Sequence, residues 1–351
     1  MINFFKSLIS NFKEKSLAYK ILIGLVLLFY ILIISLTFIK INYATTTPGA
    51  INSVTSVIEV DSDYTSGRVY TVSVYEHRKV NVLHYLIANL SDNVEITKFD
   101  PETYPSKSEN DIRGRLMKEN SIDYSLILAY REAGKINEDV NIVHNFEGMV
   151  VSQLFEQADE LIQLEDLITH VEGERIVSKD HFYELVDDVF ASPKENIEFT
   201  IMRNNEEKTI NHKISIVDNK QIIGIGVQVV YKIDSKQTAP RFKINNTRTQ
   251  GPSGGLMQAI AIYNSLTETD ITKGKIIMGT GTVDLDGNVG IIGGIKQKII
   301  TANLYNADYF FVPNGNYKEA LEQYNLLDEP TFELINVSTF VEALSILKDI
   351  N

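Results

Sequence analysis

Residues 251–255 read GPSGG, and residues 278–302 read MGTGTVDLDGNVGIIGGIKQKIITA. From about Ile223 to the end of the chain, segments with a strand-like pattern alternate with segments that have the period of a helix. Alternation of this kind predicts α/β packing around one sheet. We therefore expect residues 220–351 to form an α/β domain that contains both quoted segments.

Ser253 lies immediately before an apolar helical pattern, with Gly251, Pro252 and Gly254 beside it. Glycines let the backbone approach a ligand closely, and a helix N-terminus offers free N–H groups that suit a developing oxyanion. Ser253 is therefore a candidate nucleophile, with oxyanion support expected around Gly251, Pro252 and Gly254. The same serine would also serve as the N-cap of the helix, and this turn alone does not separate the two interpretations.

The predicted α/β domain offers lysine rather than histidine as a base for a serine nucleophile. No histidine follows His212, so a Ser-His-Asp triad would need a histidine from another part of the chain. Lysine can serve as the base when burial in an apolar site lowers its pKa. Lys296 and Lys298 point about 200° apart at the start of a predicted helix, so one can face a site while the other faces water. Two solvated surface lysines are the alternative.

The glycine-flanked serine, a Thr-Gly after a strand, the DGNVG turn and GGIKQK follow one another in an order that resembles the proteolytic domain of Lon-type proteases. The resemblance covers roughly residues 220–350, and 45 positions separate Ser253 from Lys298. It implies that Ser253 is the nucleophile, that Lys298 is the general base, and that Thr280 helps to hold the lysine. The chain departs from the family at Gly254, where the family usually has alanine.

Residues 142–217 follow a different order of segments. A short apolar strand comes first, then LEDLITHVEGERI, a helix from about Lys179 to Phe190 after a plausible Ser178 N-cap, and a hairpin that turns at Asn204-Asn205. This order resembles a PDZ domain, in which a peptide adds as a strand beside a helix. The alternative is a small α+β domain with no peptide ligand. The residues that the resemblance assigns to the peptide groove are Gly148, Met149, Val150, His181 and Leu185.

Residues Ile21 to Ile39 contain no charged side chain and are flanked by Lys20 and Lys40. As a helix they span about 28 Å, close to the thickness of a hydrocarbon core. Basic residues in the first twenty predict a cytoplasmic tail at 1–20 and place the rest of the chain outside the membrane. A cleaved signal peptide and a buried core helix are the alternatives. The charged residues before the span are Lys6, Lys13, Glu14, Lys15 and Lys20.

The composition excludes several classes of function. A net charge of −13 argues against nucleic-acid binding, which needs clustered Lys and Arg. The absence of cysteine excludes disulfides, thiolate zinc sites and a cysteine nucleophile. No GxxxxGK[ST] motif is present, and the acidic run at Asp284–Gly287 is better explained as a β-turn than as a calcium loop. We therefore expect no cofactor and no metal.

The full order is a transmembrane helix, a β-rich and helical segment at 41–141 that packs with the other domains, a PDZ-like domain and a Lon-like domain. This α+β multidomain order resembles the membrane-bound PDZ–Lon-like proteases of Gram-positive bacteria. The resemblance implies an ATP-independent endopeptidase that cleaves exported peptides or proteins at the outer face of the cytoplasmic membrane, signal-peptide pheromones among them, and it is compatible with a homo-oligomer. A non-catalytic PDZ scaffold is the main alternative. A lipid- or wall-modifying hydrolase is disfavoured, because Leu256 stands where a Ser-x-x-Lys motif needs lysine.

Overall fold

The structure is a computed structural model that describes residues 15–62, 67–100, 105–247, 249–267 and 269–350. The chain divides into two compact units, the first formed by residues 1–47 and 75–104 and the second by residues 48–74 and 105–351. The described helices are α1 (Leu17–Phe38), α2 (Val82–Ala88), α3 (Lys107–Gly134), α4 (Lys179–Phe190), α5 (Gly255–Leu266), α6 (Ile295–Leu304), α7 (Tyr317–Tyr324) and α8 (Phe340–Asp349).

The strands fall into two larger sheets and several short pairs. In chain order they are β1 (Tyr43–Ser53), β2 (Ile58–Val60), β3 (Val69–His77), β4 (Glu95–Lys98), β5 (His144–Leu154), β6 (Leu167–Val171), β7 (Glu174–Arg175), β8 (Asn196–Arg203), β9 (Glu206–Lys213), β10 (Ser215–Val217), β11 (Lys220–Ile222), β12 (Ile225–Ile233), β13 (Phe242–Ile244), β14 (Ile277–Gly279), β15 (Thr282–Val283), β16 (Val289–Gly290), β17 (Tyr309–Pro313) and β18 (Glu333–Val337).

The first unit contains the apolar helix α1, which begins after Ser16 and has no buried residue. Its 22 residues extend about 33 Å, enough to cross a bilayer. Within the described residues α1 is the helix that is long and apolar enough to do so, and a signal sequence would meet the same test. The predicted span, Ile21 to Ile39, agrees with it to within a few residues. Lys6, Lys13 and Glu14, on which the predicted orientation depends, lie outside the described residues.

The remainder of the first unit is a small α/β element. The start of β1 pairs with β4 in antiparallel fashion, from Tyr43 opposite Lys98 to Thr46 opposite Glu95. Asn81 caps α2, because its side chain accepts a hydrogen bond from the backbone N–H of His84. These contacts confirm that the segment after the apolar helix mixes strands with a helix.

In the second unit, one sheet has the strand order β18-β17-β14-β3-β1. β14 pairs in parallel with β17 on one side and with β3 on the other, where Gly279 lies opposite Thr71. Alternate side chains of this sheet enter two different cores: Ile277 contacts one core with α3, α5 and α8, and Met278 contacts the other with α6 and α7. The sheet therefore has helices on both faces, and part of it comes from residues before position 78.

The second sheet has the order β12-β5-β6-β8-β9 and is covered by α4. Helix α4 buries Phe182, Val186 and Val189, a spacing of three to four residues that fits one helix face. Ser178 caps α4, as the sequence predicts, and the β8–β9 turn holds Asn204 and Asn205 at positive φ, as a tight hairpin requires. This sheet and helix form the segment predicted to resemble a PDZ domain, which we call the PDZ-like module (residues 144–233).

The expectation that residues 220–351 pack around one sheet is wrong for β12. This strand pairs in antiparallel fashion with β5 along its length, from Ile225 opposite Leu154 to Ile233 opposite His144. Every second side chain of β12 packs against the core of the PDZ-like module, with Val229 buried among them. Because side chains alternate along a strand, β12 has one apolar face, and that face packs against the core of the sheet that contains β5.

Candidate active site

The glycine-rich turn positions Ser253 just before α5. Gly251 has φ +83°, a backbone conformation that favours glycine, and α5 begins with Gly254 as its N-cap. No side chain of the described residues caps this helix, and its N-cap is Gly254, so the interpretation of Ser253 as a plain N-cap is wrong. Within the described part of the chain, no hydrogen bond involves the Ser253 hydroxyl, and the residue is half-buried.

The backbone N–H groups of Ser253 and Gly254 have no acceptor among the described residues. The N–H of Gly251 instead donates to the carbonyl of Gly114 on α3 at 2.9 Å, and Pro252 has no N–H group. Gly251 and Pro252 therefore shape the turn but do not offer donors to an oxyanion, which corrects the expectation for these two residues. Donors at Ser253 and Gly254 lie at the positive end of α5, where negative charge is stabilised.

Lys298 is buried at the start of α6. Its side chain is 2% exposed, and its Nζ donates a hydrogen bond to Thr280 Oγ1 at 2.9 Å. Burial lowers the pKa of Lys298 from its ordinary value to about 7. Lys296, two positions earlier, has a 49% exposed side chain that lies 4.0 Å from Glu319. The alternative of two solvated lysines is therefore wrong for Lys298, because burial favours the neutral amine over the ammonium.

Thr280 connects the lysine to the serine turn. Its hydroxyl accepts from Lys298 and donates to the carbonyl oxygen of Ser253 at 3.0 Å. Two hydrogen bonds in series bring Lys298 Nζ to within about 6 Å of that oxygen. The Lys298 amine donates to Thr280, and among the described residues it shares no hydrogen bond with the Ser253 hydroxyl.

Sequence reasoning missed the contribution of α3, which lies more than a hundred positions before the turn. Ser121 Oγ donates to the carbonyl of Pro252 at 3.0 Å, and Ser125 Oγ donates to the carbonyl of Gly255 at 2.9 Å. A second contact it missed comes from Gly281, whose N–H donates to the Ser253 carbonyl at 2.8 Å. Nothing in the local pattern of α3 marks these serines, because their partners are distant in sequence.

A groove of about 1010 Å³ lies between the first half of α3 and residues 244–247, 249 and 250. Lys118 on its wall donates to the carbonyl and the hydroxyl of Thr247, and burial lowers the pKa of this lysine. Gln250, the last residue of that wall, immediately precedes Gly251. The groove is therefore close to Ser253 along the chain and lined by both charged and apolar side chains.

The peptide groove predicted for the PDZ-like module has no free strand edge at β5. Met149 is opposite Val229 of β12 on one side and Ile168 of β6 on the other. Gly148 and Val150 also face β12, so a peptide could add beside them only by displacing a strand of this chain. That expectation is therefore wrong for these three residues. On α4, the His181 ring lies 3.3 Å from Glu174, and Leu185 packs against the module core.

The acidic run after β15 forms the predicted turn. Gly287 has φ +86°, and its N–H donates to the carbonyl of Asp284 at 3.1 Å. The Asp284 carboxylate accepts from both the backbone and the side-chain nitrogen of Asn288. The described residues contain no group of three His, Cys, Asp or Glu side chains that could hold a metal ion. Asp284 thus has a structural partner in this turn.

Comparison with known proteins gives two kinds of similarity. The chain is 34% identical over 101 residues to the Lon protease of Aster yellows witches'-broom phytoplasma, which is 29% of this chain and 12% of that protein. It is 31% identical over 140 residues to the Lon protease of Ureaplasma parvum, which is 37% of this chain and 17% of that protein. The matched region therefore spans less than a fifth of the length of these curated relatives.

Among solved structures, the PDZ domain of the SdrC-like protein from Listeria monocytogenes matches with a TM-score of 0.21 and 17% identity, covering 24% of this chain and 90% of that domain. The PDZ domain of the SdrC-like protein from Listeria innocua matches with a TM-score of 0.20 and 21% identity, covering 23% and 92%. Residues 242–347, which include the serine turn, Thr280 and Lys298, match the family model of the Lon protease (S16) C-terminal proteolytic domain. The chain therefore carries a C-terminal proteolytic domain of the Lon type.

Proposed function

We propose that this chain is a membrane-anchored, ATP-independent serine endopeptidase in which Ser253 is the nucleophile and Lys298 the general base. The observation that carries the proposal is the buried Lys298 amine, with a pKa of about 7, joined through the Thr280 hydroxyl to the carbonyl of Ser253. A buried lysine without an ion pair costs stability, and such cost is common where the neutral amine is needed for chemistry. The 351 residues contain no GxxxxGK[ST] motif, in keeping with a reaction that does not use ATP.

The reaction proceeds through an acyl-enzyme. Neutral Lys298 takes the proton from the Ser253 hydroxyl as the oxygen attacks the scissile carbonyl. The tetrahedral oxyanion accepts hydrogen bonds from the unpaired N–H groups of Ser253 and Gly254. The intermediate then collapses, and the leaving amine takes the proton from the Lys298 ammonium. In the second half, Lys298 takes a proton from water, the resulting hydroxide attacks the acyl carbon, and Ser253 leaves as it regains a proton.

We propose that the substrate approaches as an extended strand along β12. This strand is the last in the order of its sheet, so its outer edge has no partner strand among the described residues. Helix α3 contacts both β12 and the serine turn: Asn120 donates to Gln228 of β12 at 3.0 Å, and Ser121 donates to the Pro252 carbonyl. A strand paired with β12 would therefore lie beside the helix that holds the nucleophile turn.

The cell membrane is the proposed location, with α1 as a single span and the proteolytic domain at the outer face. The apolar length of α1 and the basic residues before and within its first turns support this orientation. Substrates would then be peptides or proteins already exported across the membrane, including the signal peptides from which pheromones are made. The proposal includes a homo-oligomer, because the resemblance in sequence is compatible with one.

Mass spectrometry of extracytoplasmic peptides tests the activity directly. Cells that produce the wild-type chain are compared with cells that produce Ser253→Ala or Lys298→Ala. We expect both variants to lose the same set of cleavage products, because each removes one half of the proposed proton transfer. Lys296→Ala is the matched control, since it removes an exposed lysine two positions away on the same helix. Identical peptide profiles in all four strains would refute the peptidase and favour a binding scaffold.

A further inference from the structure

Two buried serines on α3 contact the carbonyl groups on either side of the proposed nucleophile. Ser121 is 4% exposed, and its hydroxyl makes its hydrogen bond to the carbonyl of Pro252 at 3.0 Å. Ser125 is fully buried, and its hydroxyl contacts the carbonyl of Gly255 at 2.9 Å as well as the Ser121 carbonyl at 2.6 Å. Both serines lie outside residues 242–347, the region that matches the proteolytic domain.

The bond of Ser121 is unusual for a serine in a helix. A helical serine commonly donates to the carbonyl four residues earlier in its own helix, as Ser125 does in addition to its contact with Gly255. The Ser121 hydroxyl instead crosses to another segment. The approach is close, because a Cβ atom built on Gly255 would lie 2.8 Å from Ser121 Oγ. Glycine at 255 thus makes room for this hydroxyl.

Fixing the Pro252 carbonyl also fixes the direction of an N–H group. A trans peptide is planar, so the Ser253 N–H points opposite to the Pro252 carbonyl in the same plane. The next peptide is fixed in the same way, since the Ser253 carbonyl accepts from Gly281 and Thr280 and the Gly254 N–H points away from them. Both of these N–H groups lack an acceptor among the described residues.

We propose that Ser121 is a positioning residue for the oxyanion site: its hydrogen bond to Pro252 aims the Ser253 N–H at the oxygen of the tetrahedral intermediate. Ser125 supports the same turn by fixing the carbonyl of Gly255 at the start of α5. Neither serine touches the reacting atoms. The inference rests on the proposed function, and it adds to the catalytic unit a helix that precedes the matched proteolytic domain by more than a hundred residues.

The test compares Ser121→Ala with Ser265→Ala in the full-length chain in detergent. Ser265 is a matched control, because it is 9% exposed, donates from α5 to the Ala261 carbonyl at 3.0 Å, and lies at the far end of that helix. Labelled casein serves as the first substrate, and a fluorogenic peptide made from a wild-type cleavage site gives kcat and KM. A peptide boronate, which forms a tetrahedral adduct with a catalytic serine, reports on the oxyanion site.

We expect Ser121→Ala to lower kcat about tenfold, with KM changed less than twofold, because the misaimed donor matters in the transition state. Boronate affinity should fall by a similar factor, while an uncleavable peptide of the same sequence binds as before. The pH midpoint of kcat should stay where it is in the wild type, since Lys298 and Thr280 are intact. Ser265→Ala should match the wild type in all five measurements.

Three results would overturn the inference. If Ser121→Ala has the same kcat and boronate affinity as Ser265→Ala, the positioning role of Ser121 is refuted, while the proposed peptidase activity is unaffected. A rise in KM with kcat unchanged would do the same, since it would assign Ser121 to substrate binding. A wild-type chain that neither cleaves casein nor binds the boronate would overturn the proposed function, and the positioning role with it.

Discussion

Replacing Lys298 with methionine should stabilise the fold and abolish catalysis. Burial lowers the pKa of Lys298 from 10.5 to about 7, a shift that corresponds to at most about 5 kcal/mol. Between these two values the unfolded chain binds the proton and the folded chain does not. The free energy of unfolding therefore rises as pH increases from 7 to 10.5, and it is lowest below pH 7, where the lysine must be charged while buried.

Methionine keeps the length and apolar stem of Lys298 and removes the titration. Lys298→Met should therefore raise the free energy of unfolding at pH 7 by several kcal/mol, up to about 5, and lose this part of the pH dependence. Hydrogen exchange of peptides from α5 and α6 in increasing urea measures the stability of the proteolytic domain separately from the PDZ-like module. Lys296→Met is the control, and it should leave the curve unchanged because that side chain is exposed.

The same pKa fixes the pH dependence of cleavage. About 1% of Lys298 is neutral at pH 5 if its pKa is about 7, so kcat/KM should fall about a hundredfold between pH 8 and pH 5. Casein cleavage across this range measures the fall. The reasoning is refuted if Lys298→Met is less stable than the wild type at pH 7, or if cleavage is flat from pH 5 to pH 8.

Three further predictions concern other parts of the chain. Gly254→Ala should lower the free energy of unfolding by about 1 kcal/mol, because the new Cβ would lie 3.0 Å from Thr71 Cγ2. Adding Thr71→Ser removes that methyl group and should restore the lost stability. A double variant whose loss is the sum of the two single losses would contradict this prediction. Burial, and to a smaller extent the charge of Glu119, raises the pKa of Asp123 to about 7, so this carboxyl makes the fold less stable as pH rises from 4 to 7. Asp123→Asn should therefore raise the free energy of unfolding above pH 7 and leave it unchanged below pH 4, as measured by the same hydrogen-exchange assay. A stability change that does not depend on pH would contradict this prediction. The full chain should sediment with membranes through a carbonate wash and dissolve in detergent, whereas a processed, soluble chain would show that α1 is a signal sequence.

Features set by a few neighbouring residues could be predicted from the sequence. The positive φ of Gly287, the hairpin turn at Asn204-Asn205 and the cap at Ser178 all follow from local backbone chemistry. The opposite directions of Lys296 and Lys298 follow from the helical period. The apolar residues that follow Lys298 in sequence indicate that Lys298 is the buried lysine of the pair. In each case the information lies within about one helical turn of the residue concerned.

The assignment of strands to sheets could not be predicted in the same way. β12 has the alternating pattern of a strand with one buried face, and that pattern fits either sheet. β3 completes the sheet beside β14 although more than 200 positions separate the two strands. The choice depends on non-local pairing, which a one-dimensional pattern does not contain.

The proposed oxyanion donors show the same limit inside the candidate site. Gly251, Pro252 and Gly254 were equivalent neighbours of Ser253 in sequence, but the structure separates them by their partners. The Gly251 N–H donates to the Gly114 carbonyl on α3, whereas the Gly254 N–H has no acceptor in the part of the chain that the structure describes. A turn sequence indicates where a nucleophile can stand, but the available donors depend on the segment packed behind the turn.

The position of the PDZ-like module explains why that packed segment lies so far away. β5 and β12 pair so that His144 is opposite Ile233, and Asp234 N–H donates to the Val143 carbonyl at 2.8 Å. The first and last residues of the module are therefore side by side, the geometry that lets a folded domain be inserted without disturbing its host. We infer that the proteolytic domain runs directly from α3 to the serine turn and that the module interrupts it. The entropy cost of loop closure grows only logarithmically with loop length, so the inserted module adds little to the free-energy cost of bringing α3 against the turn. Ser121 and Ser125 of α3 can therefore hydrogen-bond to the carbonyl groups of Pro252 and Gly255.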